Sequence, residues 1–406
     1  MTQLLKKYFK GDTVLWIVFI MLCVISIIEM YSASSTLAYK ASNHTAPMLR
    51  HVWFLFIGSL VAFGVHLIPY KYIRLLSYLG LFASVFFLIW VLFKGQSAND
   101  ATRWMSLFGF QFQPSELAKL SVIIVVADLI SRIKNPDDEK KLFRYIIIIV
   151  GVICALILLE NFSTAILLFV VAYVMMFIGE ISWKRMLIVG GSITAVAALA
   201  LTLVMVVPEN KMPKAFDRAY TWKARIERFV DGKGDDTQKY VINDENRQMM
   251  HGKMAIARGG VVGVFPGNSI ERDYLPQAYS DFIYSIIVEE MGLFGGIFVI
   301  LLYLILLFRA GMIATKCESV FPALLVTGLS LMIVLQAFIS MSVATSLGPV
   351  TGQPLPLISR GGTSIIITCL YFGIILGVTR QLRLGETGSA SAATENEIPT
   401  VELDEV

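Results

Sequence analysis

Long apolar blocks separated by short polar segments recur along the chain. They cover roughly 13–33, 52–69, 75–93, 115–130, 145–159, 162–179, 187–207, 281–307, 320–342 and 363–379. Most are long enough to cross about 30 Å of hydrocarbon as a helix; the fourth and fifth are short for a straight crossing. In lipid each backbone N–H and C=O must be satisfied within the segment, so runs of this kind predict helices. The pattern predicts an all-α polytopic membrane protein with ten transmembrane helices. A short segment, 1–12, precedes a membrane domain over 13–379, with a large loop at 208–280 between the seventh and eighth helices. The segment 380–406 is acidic and has the composition of a disordered tail. The first block lacks a small-residue cleavage site and ends in Glu29-Met30-Tyr31, so it reads as an uncleaved helix.

Composition agrees. Of 406 residues, 56% are hydrophobic and 16% charged, and the mean hydropathy of +0.70 excludes an ordinary soluble domain. The net charge of +4 says little, but its distribution orients the chain. With the N-terminus inside, the short inside segments carry sixteen lysines and arginines and the short outside ones five. That asymmetry favours inside termini and an outside 208–280 loop. The four cysteines (Cys23, Cys154, Cys317 and Cys369) are isolated and suggest neither a disulfide framework nor a metal site.

Polar residues in or beside the blocks carry the chemical information, because a charge at the bilayer centre costs roughly 2.5–3.5 kcal/mol even on the gentler scales. In Gln113-Pro114-Ser115-Glu116, proline at the first helical position and an acid in the first turn predict a helix start. Glu116 is sufficiently explained by that position. Lys119, one turn further on the same face, either snorkels, pairs with Glu116 or lines an outward-facing polar cavity. Arg103 and Trp104 precede it at the interface, where an aromatic belt accounts equally well for the tryptophan. Asp281, after Ser280, reads as a first-turn acid with a serine N-cap. Glu289 and Glu290 lie about 12–13 Å deeper at 1.5 Å per residue and read as interior hydrogen-bonding groups that hold the bundle.

The stretch from Gly348 to Ser364, GPVTGQPLPLISRGGTS, has too many prolines and glycines for a regular span and predicts a loop buried in protein or lining a cavity. It ends in Arg360-Gly361-Gly362-Thr363-Ser364 at the start of the last helix. That end is either an anion site or common turn punctuation. In the long loop, Arg218–Phe229 is basic, aromatic and amphipathic, suited to a headgroup interface. Asn246–Gly263 reads as a helix to about Arg258 that breaks at Gly259-Gly260. No P-loop, zinc-protease motif or nucleophile elbow occurs.

Four of these stretches, in this order, resemble the SEDS family of bacterial cell-wall proteins: ATRWMSLFGFQFQPSELAKL, AIARGGVVG, YLPQAYSDFIYSIIVEEMGLFGG and GPVTGQPLPLISRGGTS. The resemblance runs from Asp12 to about Arg383. It implies a peptidoglycan glycosyltransferase of the bacterial inner membrane that polymerises lipid II beside a class B penicillin-binding protein. Length and a short tail favour the septation (FtsW) branch, with its divisome partners, over the elongation (RodA) branch. The resemblance makes Asp281 the general base of an inverting displacement. Arg103, Lys119 and Arg360 with Gly361, Gly362 and Ser364 become candidates for the pyrophosphate, with Glu116 beside them and Trp104, Glu289 and Glu290 in support. A divalent cation, Mg or Mn, could assist, although the sequence shows no dedicated cage.

The chain departs from the family pattern at three places. Asn161 stands where an acid is frequent, Arg360 where a tyrosine is frequent, and Ser340 where an asparagine is frequent. The anion role of Arg360 is therefore an inference from its own chemistry. Two competing functions are a lipid II flippase, which needs a polar path reaching both faces, and a non-catalytic scaffold for the penicillin-binding protein.

Overall fold

A computed structural model describes residues 11–33, 46–94, 96–98, 101–107, 110–206, 242, 246–275 and 278–396. Long helices coincide with the ten apolar blocks: α1 (Thr13–Ala33), α2 (Ala46–His66), α3 (Tyr70–Lys94), α4 (Pro114–Ser131), α5 (Pro136–Glu160), α6 (Phe162–Ile178), α7 (Trp183–Val206), α10 (Ile283–Ala314), α11 (Val320–Ala344) and α12 (Thr363–Asn396). Between α7 and α10 lie α8 (Arg247–Gly259) and the single turn α9 (Glu271–Tyr274). Among the described residues, seven helices are long and apolar enough to cross a membrane, which makes this a multi-pass protein. The helix α4 carries three charges (Glu116, Lys119 and Asp128), and α6 has 17 residues.

The expectation of an all-helical chain needs one correction. Three short antiparallel strands, β1 (Gln96–Ala98), β2 (Ala101–Leu107) and β3 (Phe110–Phe112), form a meander between α3 and α4. Runs of three to seven residues are too short for a period-two pattern to stand out beside membrane helices. Two boundaries also differ. The helix α5 begins nine residues before its apolar block, because Pro136 suits a first helical position after Asn135. The helix α12 continues to Asn396, where composition suggested disorder; propagating an established helix is far easier than nucleating a new one. The amphipathic stretch 218–229 lies outside the described residues.

The helix α4 is the hub. Its residues from Pro114 to Ile130 are almost all buried, which explains why its sequence shows no polar stripe. At the periphery, α3 turns Leu75, Leu76, Leu79, Phe82 and Phe93 outward, as a lipid-facing helix does. The pair α2–α12 packs at backbone distance: a Cβ at Gly373 would lie 2.6 Å from the Ala62 carbonyl oxygen.

The end of the bundle away from the strands is tied by charge. Asp12 Oδ1 accepts from the backbone N–H of Val14 and Leu15, its Oδ2 accepts from Arg309 Nε at 2.7 Å, and its N–H donates to Thr379 Oγ1 at 3.0 Å. One residue thereby caps α1 and fixes α10 and α12 to it. Nearby, fully buried Asp128 pairs with Arg74 and Arg132 and accepts from the Tyr78 hydroxyl, joining α3 to α4. The hydrogen bonds that Arg132 donates to Asp128 raise Arg132 above its ordinary pKa, against a smaller lowering by burial.

The helix α10 is interrupted. Gly292 takes φ 68°, ψ −172°, which separates a nine-residue upper piece, 283–291, from the long segment beyond. The break frees backbone groups, and the turn after α8 takes them. Val264 and Phe265 N–H donate to the Glu289 and Glu290 carbonyls at 3.0 and 2.8 Å, and Leu293 N–H donates to the Gly260 carbonyl at 3.0 Å. The two strands of backbone are so close that only glycine fits. A Cβ at Gly263 (φ 88°) would lie 2.3 Å from the Glu290 carbonyl oxygen, and one at Gly292 would lie 2.3 Å from that of Val261.

Gly263→Ala is therefore expected to destabilise the protein well beyond the roughly 1–3 kcal/mol of a left-handed backbone alone. Gly151→Ala, in a helix position where a Cβ meets nothing within 4 Å, is expected to be neutral or stabilising by up to about 1 kcal/mol. Thermal unfolding of the two detergent-solubilised variants side by side checks the contrast; equal melting temperatures would refute the backbone-contact account.

Candidate active site

The Gly348–Ser364 segment organises the strand end of the bundle. It is irregular and largely buried, with Leu357 at φ 65°. Its carbonyls are taken by side chains from the surrounding helices. Ser26 Oγ on α1 donates to the Leu357 carbonyl at 2.7 Å, Tyr303 Oη on α10 to that of Pro356 at 2.6 Å, and Gln336 Nε2 on α11 to that of Pro354 at 3.1 Å. Because the single Ser26 proton goes to Leu357, the 2.7 Å contact with His51 requires the imidazole Nε2 to carry a proton. Irregular backbone at membrane depth is thus satisfied from within the protein.

Four helices begin around this loop. The start of α6 reaches it through Thr164 Oγ1, which accepts from Gln353 Nε2 at 2.6 Å. The first two turns of α4 reach it through Lys119: its Nζ donates to Gln336 Oε1 at 3.0 Å, and Gln336 in turn holds Pro354. The turn before α10 is bound twice, by Ser359 Oγ to the Ser280 carbonyl at 2.7 Å and by the Arg360 N–H to the Tyr279 carbonyl at 2.9 Å. The helix α12 follows the loop directly, and Thr363 Oγ1 donates to the Gln111 carbonyl of β3 at 3.0 Å. Helix N-termini carry partial positive charge, so this arrangement favours an anionic group.

Asp281 sits in this setting, half-buried, in the turn two residues before α10. The N-cap is Phe282 rather than Ser280, whose hydroxyl donates to Asp281 Oδ1 at 2.9 Å. Arg360 stacks its guanidinium over Tyr279 at 5.2 Å from the ring centre. Sequence positions 281 and 360, far apart in the chain, therefore share one local structure. Gly362 (φ 49°) makes the turn into α12, and the N–H of Ser364 donates to the Gly361 carbonyl at 2.9 Å.

Lys119 does not snorkel. It is fully buried, with Glu116 Oε1 at 2.8 Å and Gln336 as its second partner. Arg103 and Trp104 lie on β2, with Trp104 opposite Gln96; their side chains lie outside what is described. Glu289 and Glu290 are buried in the short upper piece of α10, not in the long membrane segment. Glu289 accepts from Arg258 Nη1 and the Ile270 N–H, both at 3.1 Å, and from Ser269 Oγ. Glu290 accepts from Ser32 Oγ, with Arg272 Nη1 at 3.8 Å. These contacts dock α8 and α9 on α10 and reach α1. Gln336, Gln353 and Ser359 went unrecognised in the sequence; polar residues within a proline-rich loop or an apolar helix, lacking charge, give little signal on their own. Among the described residues no group of three His, Cys, Asp or Glu gathers to hold a metal.

These features define a multi-pass helical membrane protein that folds an irregular loop into one end of its bundle and hydrogen-bonds the turn carrying Asp281 to the Ser359-Arg360 segment of that loop. The chain belongs to the FtsW/RodA/SpoVE family, whose model, described as cell cycle protein, matches residues 12–384. It is 30% identical over 397 residues to the probable peptidoglycan glycosyltransferase FtsW of Bacillus subtilis (strain 168), covering 94% of each chain. The corresponding protein of Geobacter sp. (strain M18) is 30% identical over 380 residues, covering 92% of this chain and 97% of its own. In structure the chain resembles one described under structural coordination of polymerization and crosslinking by a peptidoglycan synthase complex (TM-score 0.72, 25% identity, 92% and 98% covered). It shares its fold with the rod shape determining protein RodA of Thermus thermophilus (TM-score 0.64, 23% identity, 91% and 97% covered).

Replacing Lys119 alone leaves the buried Glu116 carboxylate uncompensated, so Lys119→Met is expected to cost about 3–5 kcal/mol. Adding Glu116→Gln should restore most of that stability. Chemical or thermal unfolding of the single and double variants measures the recovery; no recovery would mean that the pair does not act as a unit.

Proposed function

We propose that the chain is a peptidoglycan glycosyltransferase of the FtsW type that polymerises lipid II into β-1,4 glycan strands during septal wall synthesis. The observation that carries the catalytic reading is the double anchoring of the Asp281 turn to the Ser359-Arg360 segment, which puts Asp281 and Arg360 in one local structure at a helix N-terminus. The reaction is a single displacement. The acceptor sugar's 4-hydroxyl attacks the anomeric carbon of the donor, Asp281 takes the hydroxyl proton, and the bond to undecaprenyl pyrophosphate breaks with its electron pair leaving on the diphosphate. Inversion turns an α-linked donor into a β linkage. Arg360 and the surrounding helix N-termini would stabilise charge developing on the diphosphate. Arg103 would add to them from β2, and Lys119 would hold Glu116 and the loop rather than meet the diphosphate directly.

The positive-inside rule supports an orientation with both termini in the cytoplasm, ten crossings and the strand end facing outward, where lipid II presents its sugars. The bacterial inner membrane is the location this implies. A divalent cation, Mg or Mn, would help neutralise the diphosphate as it leaves, alongside Arg360 and the helix N-termini. The resemblance to a chain from a synthase complex supports a class B penicillin-binding protein as crosslinking partner within the divisome.

Asp281→Asn keeps the shape of the turn and removes the base. Polymerisation of purified lipid II, assayed with the penicillin-binding protein present, is expected to fall by about 10²–10⁴-fold, the usual contribution of a positioned base. Unchanged polymerisation would overturn the role of Asp281. Lipid II translocation surviving in a variant that no longer polymerises, with wild type making no glycan, would favour the flippase instead.

A further inference from the structure

Far from the loop site, at the Asp12 end of the bundle, α5 and α7 stand apart and leave an open groove of about 280 Å³. Its floor and its rim differ in chemistry. On α5, Lys140 and Arg144 are one turn apart on one face, and Ile147 and Ile148 continue that face inward. On α7, Arg185 sits in the first turn and Val189 lies one turn further in. Both walls thus run from cation to hydrocarbon in the same direction. Phe143 is half-buried between the two zones.

The polarity of the groove matches one class of ligand. A lipid has an anionic headgroup and an aliphatic chain joined end to end, and the groove presents cations and then apolar wall in that order. We propose that it binds an anionic phospholipid of the adjacent leaflet, with the phosphate at Lys140 and Arg144 beside the Arg185–Glu139 pair and an acyl chain along Ile147, Ile148 and Val189. The charge balance holds once the neighbouring acids are counted. Glu139 is the acid nearest Arg185, with Oε1 at 3.0 Å from Nη1, and it also accepts from the Ser182 N–H at 2.8 Å. Lys140 and Arg144 are exposed. The first turns of α5 and α7 carry five cations, Lys140, Lys141, Arg144, Lys184 and Arg185, against the three acids Asp137, Asp138 and Glu139, so a net positive charge remains to meet a phosphate. The depth is also suitable: Lys140 and Arg144 lie in the first three turns of α5, before the apolar block that begins at 145, at headgroup level rather than in the hydrocarbon.

The test uses the full chain and the lipids themselves. The detergent-solubilised protein is exchanged into phosphatidylcholine with or without phosphatidylglycerol, and bound lipid is counted by native mass spectrometry. Wild type should retain phosphatidylglycerol in preference to phosphatidylcholine, and Lys140→Ala/Arg144→Ala should lose roughly tenfold or more of that preference. Lys134→Ala/Lys184→Ala removes the same charge from exposed sites outside the groove and should change it little. Glycerophosphoglycerol, the headgroup without chains, should not displace the lipid. Equal retention of the two lipids, an equal effect of both double variants, or displacement by the headgroup alone would each overturn the proposal.

Discussion

A helix broken at Gly292 would strand backbone carbonyls and amides in a low-dielectric interior, and much of the strand end is arranged to prevent that. Each unsatisfied group buried there would cost on the order of several kcal/mol. The Gly259–Phe265 turn supplies the missing partners in both directions, accepting from α10 below the break and donating to it above. This exchange requires backbone on backbone, hence glycine at 259, 263 and 292. Once the turn is docked, α8 and α9 are fixed as well, and the carboxylates of Glu289 and Glu290 close the contact with Arg258, Ser269 and Ser32.

That arrangement explains how the turn carrying Asp281 can be held in place at the strand end of the bundle. The upper piece of α10 is only nine residues long and would be marginal alone. It is clamped from one side by the α8 turn and from the other by the 348–364 loop, and Asp281 sits just before its N-terminal end, in the turn that the loop anchors. A Cβ on Gly252 of α8 would lie 3.0 Å from the Phe282 ring, so the residue next to Asp281 also packs directly on the clamp. Packing on one face and hydrogen bonding on the other leave the carboxylate pre-positioned.

The sequence made the architecture readable wherever a pattern was long. Each apolar block coincides with a long helix among the described residues, and Gln113-Pro114 and Gly259-Gly260 marked true boundaries. What was hidden were relations between distant residues. Glu289 and Glu290 looked like acids deep in a membrane helix, because a single glycine in an apolar run does not announce a break. Asp128, with partners on two helices, carried no local signal beyond its spacing from Arg132. The strands were hidden by their shortness. In the loop, Arg360 stood out by its charge, but its connection to Tyr279 and Ser280 depends on tertiary structure alone.

The buried Lys119–Glu116 pair illustrates the same division between local and tertiary information. Spacing places the two side chains together, and it leaves open whether they meet solvent, lipid or protein. The structure closes that choice through Gln336, which accepts from Lys119 and donates to Pro354. A neutral amide between a cation and a carbonyl transmits position, since each of its ends can satisfy only one kind of partner. The first turns of α4 are therefore registered against the same loop that registers Asp281. Two charged centres that never need to touch are kept in fixed relation by one irregular segment, and its prolines and glycines, unfavourable for any regular span, are what let it meet four helices at once.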